Sequence, residues 1–179
     1  MHRQLIDWFH TEAWDAGRLR PSAPVAAARM IAELEEPGPE RRAQLVLLLG
    51  LLAEGRSAAT GREEMTRQAV RAGLHRFLDL LNSAGDDEPL RASLLFLVAH
   101  FPRDRRRILG AARTAGLDAD ELTRLDRCLQ QPTFPGAQAT RRLGRSWPSP
   151  ATCDAVVRAH QRDHGLAHTQ ALASSAEIR

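Results

Sequence analysis

The chain has 179 residues, is 43% hydrophobic and 26% charged, and fits one globular domain with a real core, plus a loosely attached tail. Aromatics are only 4%, so Leu, Ala, Val and Ile must build that core, and strand-rich folds are disfavoured. The net charge of +3, carried by arginine without a single lysine, is too small to argue for nucleic acid. The arginine skew is of the kind a GC-rich bacterial genome produces. The longest apolar run, Leu45 to Ala53, falls short of the ~20 residues of a membrane span. The amino terminus lacks the apolar stretch of a signal peptide, and Cys128 and Cys153 make no disulfide framework. A cytoplasmic location without membrane contact is the expectation.

In chain order, residues 2–16 read as a first helix with Leu5, Trp8, Phe9 and Ala13 inward and Gly17 as its stop. Ser22 is expected to cap a second helix whose apolar positions are Val25, Ala28, Met30, Ile31 and Leu34. Pro39 opens a third, about 39–54, that is apolar nearly all round and belongs in the middle of a bundle. Thr60 and Glu63 have capping-box spacing for a fourth helix running to Asn82. Pro89 begins a fifth through Phe101, and Pro102 separates it from a sixth, about 103–115. A seventh runs from Asp118 to near Gln131. The predicted core is Leu45, Leu48, Leu49, Leu52, Leu74, Leu78, Leu94, Leu97, Val98, Leu122, Leu125 and Leu129. Beyond Gln131, frequent Pro and Gly suggest an irregular arm with one short helix near residues 149–164. The expected organisation is a helical domain over 1–131 and an arm over 132–179 that packs on or beside it. Trp8, Trp14 and Trp147 are expected to fasten the two ends of the chain.

An internal similarity relates Arg42-Ala43-Gln44-Leu45-Val46-Leu47-Leu48 to Arg91-Ala92-Ser93-Leu94-Leu95-Phe96-Leu97, 49 residues on. Each copy follows acidic residues and a proline, and each is followed by a second amphipathic helix. This pattern, over about residues 35–130, resembles a HEAT-type helical repeat. The offset exceeds the ~40–47 residues usual for such units, and the Gly55–Gly61 connection would absorb the excess. The resemblance implies an all-α fold, a short HEAT-like stack of antiparallel helix pairs, whose second helices line a groove.

The residues on those second helices carry the functional expectation. Glu63, Arg67, Arg71, His75 and Asp79 follow one another at four-residue steps, and the other such helix presents Arg103, Arg105, Arg106, Arg107 and Arg113. A solvated polar face accounts for such spacing. If the pairs stack, Arg67, Arg71, His75, Arg103, Arg106 and Arg107 converge on one groove, where guanidinium forks suit carboxylates and phosphates. The leading function is therefore a noncatalytic interaction module, or scaffold, that takes an anionic peptide segment of another protein or a phosphate-bearing ligand. The alternative is a small all-α enzyme of specialised metabolism with a pocket between the helical stack and the arm, so enzyme status stays open. A third reading resembles the HEAT-like alkylpurine DNA glycosylases. That family pairs a basic concave face with an aromatic and a carboxylate, and here no tryptophan lies on the groove helices.

Other clusters have plainer roles. His160 and His164, with His168 beyond, have the four-residue spacing of metal ligands but lack further placed donors, so neither metal nor cofactor is expected. Asp86-Asp87-Glu88 and Asp118 to Glu121 precede helices and are expected to cap them rather than hold Mg²⁺. His100, at a helix end beside Phe101, is expected to be satisfied locally rather than to act in proton transfer. No serine elbow, phosphate loop or dinucleotide fingerprint occurs.

Overall fold

Proline and glycine set most helix boundaries in the computed structural model, which describes residues 2–15, 18–35 and 38–130. Expectations that fall on Gly17 or on the arm, including Trp147, Cys153, His160, His164 and His168, lie outside the described residues. The fold is all-α. Among the described residues there are eight α-helices: α1 His2–Glu12, α2 Ala23–Glu33, α3 Pro39–Glu54, α4 Arg62–Arg71, α5 Leu74–Ser83, α6 Glu88–Val98, α7 Arg105–Thr114 and α8 Ala119–Gln130. A 3-10 turn, Pro102–Asp104, precedes α7.

Local expectations at the first, second and fourth predicted helices need correction. The first helix ends at Glu12 rather than residue 16, and Trp14–Asp15 (β1) pairs antiparallel with Arg18–Leu19 (β2). The hairpin is secured from outside. The Leu19 amide donates to the Arg56 carbonyl at 2.6 Å, and Trp14 stacks on Phe9 at 5.8 Å. An added Cβ at Gly55 would overlap Leu19, so the chain after α3 can lie against the hairpin only as glycine. Secondly, the Ser22 hydroxyl donates to the Glu12 carbonyl and makes no cap bond to α2. The buried face of α2 is Ala23, Ala26, Ala27 and Met30, while Val25 and Ala28 are exposed. A helix this rich in alanine has no marked apolar stripe, so its packing partners set its rotation. Thirdly, Thr60 and Glu63 form no capping box. Gly61 occupies the N-cap position at φ +80°, and Glu63 accepts instead from the Ser57 amide at 2.8 Å.

The fourth predicted helix is two. It breaks at Ala72-Gly73, where an added Cβ on Gly73 would come within 2.7 Å of Phe77 and 3.0 Å of Ile31. Gly73 is thus the point at which the α4–α5 junction presses against α2. The even four-residue march from Glu63 to Asp79 is divided between two helix axes.

The acidic clusters cap helices. Asp87 accepts from the Leu90 amide at 3.1 Å, and Asp118 and Glu121 each accept the other's amide, at 2.7 and 2.9 Å. Glu121 also receives Arg91 at 2.6 Å, which ties α6 to α8.

The most extensive helix contact joins α3 to α6, so the two segments related in sequence lie against each other. Gly50 permits their approach, since a Cβ there would overlap the Phe96 ring. The α2 helix packs on α4, while α5 packs on α6 and α7, and α7 on α8. Every predicted core leucine and Val98 is buried except Leu122, which is partly covered at the core's edge. Among the described residues no helix is long and apolar enough to cross a membrane.

Candidate anion-binding depression

The break at Gly73 and the turn at Pro102 together shape a surface depression that gathers charged and polar side chains. The last turn of α4 supplies Gln68 and Arg71, the link after it Ala72, and the first turn of α5 Leu74 and His75. The 3-10 turn then brings Asp104, and the first turn of α7 brings Arg107. These seven residues line a shallow depression of about 230 Å³ that opens to solvent.

Its centre is an ion pair. Arg71 donates from Nε to Asp104 Oδ2 at 2.7 Å and from a terminal nitrogen to Oδ1 at 3.1 Å, a bidentate fork. The Arg71 side chain is 49% exposed and that of Asp104 16%, so the guanidinium meets solvent more than the carboxylate that holds it. Hydrogen bonding to Asp104, and then that carboxylate's charge, hold the Arg71 pKa above its ordinary value. The fork cancels one positive charge and leaves Arg107 beside it. Among the described residues Arg107 has no ion-pair partner. His75, exposed, completes the rim.

Of the six groove candidates, Arg71, His75 and Arg107 line the depression. Arg67, Arg103 and Arg106 do not. Arg67 reaches Glu64 on its own helix at 3.3 Å, and Arg103 and Arg106 are exposed outside the lining. Arg105 is spoken for: it forks onto Asp126 of α8 at 2.6 and 2.9 Å. Asp104 and Gln68 were not legible as site residues. Asp104 meets Arg71 across 33 residues of sequence, and its only local signal is an acid next to a proline turn.

His100 is a second titratable group whose surroundings shift it, and it lies outside the depression. It is 4% exposed, its ring meets Phe96 edge-on at 5.0 Å, and its Nδ1 lies 3.0 Å from the Phe96 carbonyl oxygen. Burial first, and the Arg67 charge to a lesser degree, bring its pKa down to about 4, so the imidazole is neutral at pH 7. Glu54, at the end of α3, moves the other way: burial pushes its carboxyl up to about 7 against the pull of Arg56. Among the described residues no three His, Cys, Asp or Glu are gathered to hold a metal ion. No protein-family model, curated protein or solved structure matches this chain.

Proposed function

We propose that this protein is a noncatalytic interaction module of HEAT-like build, which grips an anionic segment of a partner protein or a phosphate-bearing ligand in the α4–α5/α7 depression. One observation carries the reading. Arg107, without an ion-pair partner among the described residues, stands beside His75 and next to an arginine fork already shaped around a carboxylate. Guanidinium groups so arranged recognise planar and tetrahedral anions through paired hydrogen bonds. The stacked α3–α6 contact supports the helical-repeat part of the reading, because it joins the two segments that are alike in sequence.

The test is fluorescence anisotropy of labelled acidic and phosphorylated peptides against the full chain. Arg107→Glu is expected to abolish binding, and Arg106→Glu, one residue away but outside the lining, to leave most of it. Rising salt should weaken the complex, since exposed charge contacts are screened. Equal loss in both variants, or an affinity indifferent to salt, would remove the depression as the binding site.

A further inference from the structure

We infer that the depression is a seat for a phosphoryl group, and that Asp104 is its internal stand-in, holding the Arg71 fork until a phosphate displaces it. The inference rests on the binding reading above and says which anion is taken and what restrains it.

The geometry carries the argument. Asp104 meets Arg71 through two parallel hydrogen bonds, at 2.7 and 3.1 Å, the arrangement in which an external anion would be recognised. It comes from a different part of the chain, the 3-10 turn ahead of α7, so it closes the fork across the depression rather than along one helix. Arg71 remains half exposed, so an incoming group can approach the same guanidinium from solvent.

A single carboxylate from a partner brings no more charge to the Arg71 fork than Asp104 already supplies. A phosphate monoester brings close to two negative charges and three acceptor oxygens. It can therefore take Arg71 and engage Arg107 and His75 at once, whereas the Asp104 carboxylate is confined to Arg71. A depression of about 230 Å³ has room for a phosphoryl group and the atoms that bear it, while whatever carries them extends into solvent. In the free protein Asp104 also keeps Arg71 from bare exposure, and the site discriminates by demanding more charge than a carboxylate supplies.

The experiment is isothermal titration of the full chain at about pH 7.5, where the ester is mostly dianionic. Probes are a short phosphoserine peptide in a glycine–alanine context, the same peptide with glutamate in place of phosphoserine, and inorganic phosphate as competitor. The wild-type protein should bind the phosphoserine peptide, prefer it to the glutamate peptide, and release it to inorganic phosphate. Asp104→Asn and Asp104→Ala, checked for folding by thermal melts, should each tighten phosphopeptide binding by about tenfold, the worth of one freed charge-assisted contact. Each should also narrow the preference over glutamate. Unchanged or weaker binding in both Asp104 variants, with the wild type still binding, overturns the stand-in role. So does a wild type that takes the glutamate peptide equally well. If no variant binds any of the three probes, the anion-binding reading itself falls, and this inference with it.

Discussion

The α3–α6 spine and the α4–α5/α7 flank differ in what holds them. In the spine, Leu45, Leu49, Leu94 and Leu97 are wholly withdrawn from water, and Gly50 lets two helices close to van der Waals contact. In the flank, the outward contacts are charged: Arg71 to Asp104, and Arg105 to Asp126. The spine gains from burial, which is not directional and scales with area. The flank's exposed ion pairs contribute little to folding and instead fix where particular side chains stand. The most extensive helix contact and the solvent-facing charge thus lie in different regions, and substitutions should separate their effects.

The largest effect is expected in the spine. Leu97→Ala should cost about 2–5 kcal/mol of unfolding free energy in a urea titration, because its fully buried side chain leaves a cavity between packed helices. A loss under 1 kcal/mol would mean that the α3–α6 contact is not the stabilising centre.

Next in size is a pH effect hidden in the wild type. His100 takes a proton at 6.5 when unfolded but only near 4 when folded. Its contribution is complete above pH 6.5 and is lost as pH falls through 4, about 3 kcal/mol in all. Glu54 has the opposite sign. Its folded carboxyl keeps its proton up to about 7 against 4.5, so its contribution is complete below pH 4.5 and is lost as pH rises through 7. With partial solvent screening that is about 2 kcal/mol. Between 4.5 and 6.5 the two slopes oppose each other, and the wild-type profile should be flatter than that of a variant lacking either group. Glu54→Gln should expose a profile that rises with pH, and His100→Gln one that falls. Parallel profiles for the two variants would refute the assignment.

The smallest effect belongs to the flank. Arg71→Gln should shift the melting temperature by no more than about 2 °C, since the pair it breaks is exposed to solvent. A larger drop would make the Arg71–Asp104 fork a structural clasp and would blur the division between spine and flank.

The sequence by itself determined the helical class, nearly all the helix ends marked by proline, the acidic caps at Asp87 and Asp118, and the buried leucines. Each depends on local rules: proline cannot continue a helix, carboxylates satisfy free amides, and long apolar side chains leave water wherever they can. The rotation of α2, the break at Gly73, the Trp14–Leu19 hairpin and the pairing of Arg71 with Asp104 were decided only in the tertiary structure. Alanine-rich faces do not favour one direction strongly, and glycine's tolerance becomes a break only when Phe77 and Ile31 press against it. The site shares that origin. Sequence placed arginines on two helices, but which of them share a depression depended on how α4, α5 and α7 pack. That packing leaves Arg107 at the rim and excludes Arg106, because adjacent residues on a helix point about 100° apart.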